Sequence, residues 1–157
     1  YNSYLEYLYL SNNGLSQIEN ELFQNLENLK ILLLNNNRIE KIDTYAFMNL
    51  KKLFFLNLDN NRLKIIDNKI FSSLTNLTSL ILSNNYISKI EYLALSNLTE
   101  LKEIYLNSNQ IKYLDPFLFK NMNKLEILWL FNNSKQMNRL DLSYFKSMDS
   151  LKELRLN

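Results

Sequence analysis

Apolar residues return along this chain at fixed intervals. The stretch Leu29 to Lys52, LKILLLNNNRIEKIDTYAFMNLKK, displays the unit: L-x-x-L-x-L, then Asn, then a second apolar set I-x-x-I, then A-F and a closing Leu, with polar residues between. Aligned on the first leucine, units begin at Leu5, Leu29, Leu53, Leu77, Leu101 and Leu125, each 24 residues after the last; a partial seventh begins at Leu151, after 26. A period of this length marks stacked repeats, in which each unit buries its apolar face only against its neighbours.

Within each unit the alternating pairs Leu8/Leu10, Leu32/Leu34, Leu56/Leu58, Leu80/Leu82, Ile104/Leu106 and Leu128/Leu130 have the period of two that belongs to a strand. One short strand per unit is predicted, its leucines inward, all strands stacking about 4.8 Å apart into one parallel sheet. The return path is wider than the sheet side, so the stack should curve.

After each strand stands an Asn in constant register: Asn13, Asn37, Asn61, Asn85, Asn109 and Asn133, while the remaining Asn residues read as scattered. A carboxamide both donates and accepts, so this column can satisfy turning backbone groups in its own unit and the next. The return segment adds Leu15/Ile18, Ile39/Ile42, Leu63/Ile66, Ile87/Ile90 and Ile111/Leu114, then Phe23, Phe47, Phe71 and Phe119, with Leu95 replacing Phe once. These Phe residues are expected to form a buried spine. Leu26, Leu50, Leu74, Leu98 and Met122 close each turn. At roughly 1.5 to 3 kcal/mol per fully buried side chain, this set dominates the stabilisation.

An acid follows the second return-side aliphatic in each unit: Glu19, Asp43, Asp67, Glu91, Asp115 and Asp141. Such a column could bind calcium, but it fits better as a series of caps on short helical turns, Pro116 sitting where a first helical position tolerates proline. Lys41 and Lys89, two positions earlier, could screen the column. In the sixth unit Met137, Leu140, Phe145 and Met148 keep the pattern only if two extra residues lie within Ser134 to Gln136, which predicts a small bulged loop beside the Asn ladder, either a recognition element or drift. Only four residues precede Leu5, with Asn2 where a turn leucine would fall, and the chain stops at Asn157 within a strand. Residues 1–157 are therefore expected to be a single domain lacking caps, either cut from a longer array, the favoured reading, or with its ends covered by something else.

Outward strand positions are not required by the core, so their chemistry is informative. Three columns point out: Tyr7, Ile31, Phe55, Ser79, Glu103, Ile127, Glu153; Tyr9, Leu33, Asn57, Ile81, Tyr105, Trp129, Arg155; and Ser11, Asn35, Asp59, Ser83, Asn107, Phe131, Asn157. They hold two apolar clusters. One is Tyr7, Tyr9, Ile31, Leu33 and Phe55; the other is Tyr105, Ile127, Trp129 and Phe131, around the only Trp. Exposed apolar patches tend to mark interfaces, and Trp and Tyr often dominate binding energy. The alternative is that these rings stack across strands and serve the sheet alone.

Composition narrows the chemistry. With no His and no Cys, the usual general base, the thiol nucleophile and the soft metal ligands are missing together, and only surface carboxylates, Lys and Tyr remain. No catalytic residue, cofactor or metal is predicted, since an enzyme needs convergent groups in a pocket. A net charge of +2 with interleaved signs leaves no footprint for nucleic acid. No run approaches the roughly 18 apolar residues of a membrane span, so no membrane contact by this segment is predicted.

The skeleton L-x-x-L-x-L-x-x-N-x-I-x-x-I-x-x-x-A-F-x-x-L, kept through residues 5–157, resembles the leucine-rich repeat of 24-residue, extracellular type. It is similar to the ectodomains of Toll-type receptors, insect leucine-rich immune proteins and jawless-vertebrate antigen receptors. The resemblance implies an α/β repeat fold: a right-handed leucine-rich-repeat solenoid with a parallel sheet on the concave face and short helical turns or irregular segments on the convex face. It further implies recognition of a protein ligand or co-receptor, plausible in innate immunity, by an extracellular or secreted protein or the ectodomain of a membrane protein. Self-assembly into a homo-oligomer is the competing expectation. Sequons stand at Asn76, Asn97 and Asn132; about three are expected by chance from 26 Asn and 18 Ser or Thr, and Asn76 and Asn97 are the better glycan acceptors, Asn132 abutting the ladder.

Overall fold

The computed structural model describes residues 4–139, 142–146 and 148–156; Asn2, Leu140, Asp141 and Asn157 lie outside the described residues. Each unit contributes a three-residue strand to one seven-stranded parallel sheet: β1 (Tyr7–Tyr9), β3 (Ile31–Leu33), β5 (Phe55–Asn57), β7 (Ser79–Ile81), β9 (Glu103–Tyr105), β10 (Ile127–Trp129) and β11 (Glu153–Arg155), paired in that order. Two-residue strands β2 (Gln17–Ile18), β4 (Lys41–Ile42), β6 (Ile65–Ile66) and β8 (Lys89–Ile90) lie on the return side. The sheet is the concave face of a leucine-rich-repeat solenoid. Register is constant, Leu8 facing Leu32, Leu32 facing Leu56 and Leu56 facing Leu80.

The alternating pattern places the core as expected. Leu32, Leu34, Leu56, Leu58, Leu80, Leu82, Ile104, Leu106, Leu128 and Leu130 are all buried. Leu5, Leu8 and Leu10, which have a described neighbouring repeat on one side only, are partly buried. Phe23, Phe47 and Phe71 stack with ring centroids 6.1 and 6.2 Å apart; Leu95 interrupts the row, and Phe119 resumes it against Phe145 at 6.3 Å.

The Asn ladder accounts for backbone groups that a tight turn would otherwise strand inside. Asn61 donates from Nδ2 to Leu34 O and Leu58 O at 2.9 and 3.1 Å, and its Oδ1 accepts from Ile39 N at 3.0 Å. Asn37, Asn85, Asn109 and Asn133 repeat this pattern. Each carboxamide thus ties two repeats together.

The reading of the other Asn residues as scattered is corrected. Asn12, Asn36, Asn60, Asn84 and Asn132, with Ser108 in the same register, form a second column whose φ lies between +52° and +62°. Each of these six turns holds a left-handed residue at this position, with Gly14 a second in the first turn, and Asn tolerates that region better than other non-glycine residues. A third column anchors the convex turns: Asn49 and Asn97 donate to Gln24 O and Ser72 O, one repeat back, at 2.6 and 2.9 Å.

The convex side is more regular than the expected helical turns or irregular segments, since β2 pairs with β4 and β6 with β8. The acids cap selectively. Asp67 accepts from Lys69 N and Ile70 N, and Asp115 from Phe117 N ahead of the 3-10 turn Pro116–Phe119. In the Asp43 and Glu91 repeats the equivalent N–H, two residues on, is served from the preceding repeat by Asn20 and Asn68, both at 3.0 Å. Lys41 and Lys89 hold Asp43 and Glu91 instead, and Glu19 accepts from Gln17. Among the described residues no three carboxylates converge on a metal-sized space, and no helix is long and apolar enough to cross a membrane.

In the sixth unit the two extra residues do not loop out. They wind into the 3-10 turn Lys135–Arg139, in which Met137 N donates to Ser134 O at 2.9 Å and the Met137 side chain is buried. Asn133 keeps its ladder bonds alongside.

Candidate functional site on the concave wall

Because strands stack without offset, residues 24 apart become neighbours, and the outward columns become rows across the wall. Tyr7, Ile31 and Phe55 form one row and Tyr9 and Leu33 another. Tyr7 and Tyr9 are 49% and 62% exposed; Ile31, Leu33 and Phe55 are half-buried by their neighbours. The first cluster is therefore contiguous, and most open at its tyrosines.

The second cluster is more tightly built. Tyr105 meets Trp129 edge to face, centroids 4.8 Å apart, and Phe131 tilts against Trp129 at 5.7 Å. The Arg155 guanidinium lies over the Trp129 ring, 4.3 Å from its centroid. Glu153 accepts from Trp129 Nε1 at 3.0 Å and pairs with Arg155. Ile127 stands between Glu103 and Glu153 in register. Burial, and then the Glu103 carboxylate beside it, hold the Tyr105 phenol above its ordinary pKa.

These contacts partly join the two readings of the aromatics: the rings do stack across strands, yet Tyr105, Ile127, Trp129 and Phe131 are only half-buried on the wall. Glu153 and Arg155 were visible in the outward columns but carried no signal of their own. Their part emerges from the register that sets strand β11 against Trp129.

The third outward column is mostly structural. Ser83 and Asn107 are buried and bonded to each other at 2.8 Å, Ser11 donates to Asn35 at 2.7 Å, and Ser79 is buried between its neighbours in the first column. A hydroxyl or carboxamide one repeat away satisfies its partner, which withdraws both from solvent.

Exposed apolar side chains also occur on the convex side. Tyr113 and Phe117 are 68% and 65% exposed, with Tyr92 and Leu93 also open one repeat earlier. Leu93 and Phe117 share a 24-residue column with Tyr45, a spacing that tabulation of the return segment would have found. A convex cleft of about 510 Å³ is lined by Lys41, Asp43, Tyr45, Ile65 and Asp67 among others. Its carboxylates Asp43 and Asp67 are held by Lys41 and by the backbone of Lys69 and Ile70, and Glu40 by Arg62.

Asn76 and Asn97 are both exposed. Their carboxamides donate to Lys51 O and Ser72 O of the preceding repeat at 2.7 and 2.9 Å.

The family model described as leucine rich repeat matches residues 3–63, and that described as BspA type leucine rich repeat region (6 copies) matches residues 40–157. Among solved structures, the Toll–Spatzle complex of Drosophila in its glycosylated form is similar with a TM-score of 0.78 and 29% identity, over 82% of this chain and 19% of that one. A second structure of the Toll–Spatzle complex is similar with a TM-score of 0.75 and 32% identity, over 80% of this chain and 18% of that one. The chain thus spans about a fifth of the length of the Toll-complex chains it resembles. No curated protein matches it.

Proposed function

The chain belongs to the leucine-rich repeat family, and from that premise we propose that it is a non-enzymatic recognition module holding a protein ligand or co-receptor on its concave wall. The observation that carries this reading is the Tyr105–Trp129–Phe131 group, three half-buried rings with Trp129 in contact with both others, at positions the repeat core does not use. Rings already held by neighbours lose little conformational freedom on binding, which favours them as anchors. Tyr7, Tyr9, Ile31, Leu33 and Phe55 form the second contact area, and Ile127 extends the first.

The likeness to Toll, solved in complex with Spatzle, supports a protein as ligand and an extracellular-type setting. We extend it to an extracellular or secreted protein, or the ectodomain of a membrane protein, with a role in immune recognition and with glycans on Asn76 and Asn97. No nucleic acid and no membrane surface is assigned to this segment.

A displayed library of secreted proteins tests the proposal. Binders are expected whose capture is lost with Trp129→Asp and retained with Tyr113→Asp on the convex side. Binders indifferent to Trp129→Asp would overturn it. A second reading, self-association, is favoured by the exposed convex side chains Tyr92, Leu93, Tyr113 and Phe117. Light scattering decides it: a monodisperse monomer at high concentration removes that reading.

A further inference from the structure

Glu103 is a half-buried carboxylate on the concave wall that, among the described residues, accepts from two neutral donors: the Ser79 hydroxyl at 3.1 Å and the Tyr105 hydroxyl at 3.5 Å. Among the described residues seven carboxylates hold a Lys or Arg, and Glu103 is not one of them. Lys102, adjacent in sequence, precedes β9, forms no ion pair with Glu103 and acts on Glu126.

Two strands away, the same column does hold a cation. Glu153 pairs with Arg155, whose guanidinium lies against the Trp129 ring. The wall thus holds a guanidinium between a carboxylate in the first outward column of β11 and an aromatic ring in the second column of β10, the strand before. At β9 a carboxylate and a ring also adjoin, but as Glu103 and Tyr105 of one strand, with Tyr105 in the register position that Arg155 holds on β11, and the described residues supply no cation to Glu103. The outward columns carry Asp59, Glu103 and Glu153 against Arg155, so the wall is negative on a chain whose net charge is +2. A partly desolvated carboxylate gains more from a planar, bidentate guanidinium than an exposed one does, and an adjacent ring adds a stacking surface.

Resting on the concave-wall reading, we propose that the protein partner presents an arginine whose guanidinium pairs with Glu103 and lies against Tyr105, with an aliphatic neighbour on Ile127 and Phe131.

Two peptides test this, acetyl-Leu-Arg-Leu-amide and its citrulline counterpart, which keeps the shape and removes the charge. Trp129, as the only Trp, reports binding by its fluorescence. At low salt the arginine peptide is expected to give a saturable change and to bind at least about fivefold tighter than the citrulline peptide. That advantage should vanish in Glu103→Gln and at high salt, and persist in Glu27→Gln, an exposed acid off the wall. Circular dichroism confirms that the Glu103→Gln chain is folded. Equal binding of the two peptides, an advantage surviving in Glu103→Gln, or no saturable response to either overturns the inference. If both bind equally, a concave-wall partner stands and its arginine falls. If library binders ignore Trp129→Asp, the concave-wall reading itself falls.

Discussion

Tyr105 and Trp129, 24 residues apart in sequence, meet edge to face with their ring centroids 4.8 Å apart and their planes at 86°. Register brings them together, since β9 and β10 pair Tyr105 directly with Trp129. The pair is thus a sheet contact and a candidate binding surface at once, and a substitution there should register in both properties.

Replacing Trp129 with Leu removes contacts with Tyr105, Phe131 and Arg155, and leaves Glu153 without the indole donor. A loss of about 1 to 2 kcal/mol in urea unfolding is expected. An unchanged midpoint would show that the rings are not packed together in solution.

The two Asn columns should respond differently to the same truncation. Asn61→Ala strands the backbone groups of two repeats in a buried place, and is expected to cost about 3 kcal/mol or more. Asn60→Ala places a Cβ-bearing residue without a polar side chain at φ +52°, at a cost of about 1 kcal/mol. Equal losses in equilibrium unfolding would contradict the division of labour between the columns.

Ser108 holds a left-handed conformation, φ +57°, where the other turns use Asn. Glycine occupies that region without the Cβ penalty. Ser108→Gly should therefore raise the thermal midpoint, by a free energy of up to about 1 kcal/mol. A lower midpoint would mean that the Ser108 side chain contributes more than its backbone strain costs.

Surface pairs set a shallow pH dependence. Hydrogen bonds from Lys41 and Lys152 hold Asp43 and Glu126 below the ordinary carboxylate range. Their stabilisation is complete above the unfolded-state value and is lost as pH falls through the folded one. Lys30 and Lys41 are held above their ordinary range by hydrogen bonds with Glu6 and Asp43, so their contribution is complete below the unfolded value and lost as pH rises through the folded one. No His titrates in between. Thermal melts should be flat from about pH 6 to pH 9 and decline on both sides, less so at high salt. A step near neutral pH would point to a group these pairs do not include.

By itself the sequence determined the repeat, the inward leucines, the ladder Asn residues and the Phe row with its Leu95 interruption, because each answers to a local period that burial enforces. It also placed the outward columns, since strand alternation leaves no freedom there. Only the tertiary structure decided which outward residues remain open: Ser79 and Ser83 are buried by neighbours one repeat away, and Trp129 is capped by Arg155 from the next strand. The same holds for the second Asn column, whose reason is a backbone angle and not an apolar pattern, and for the shared capping by Asn20 and Asn68. These features depend on how side chains lean and turn once the repeats are stacked. A one-dimensional pattern of hydrophobic and polar positions carries the stacking, and the lean comes only from contacts between repeats.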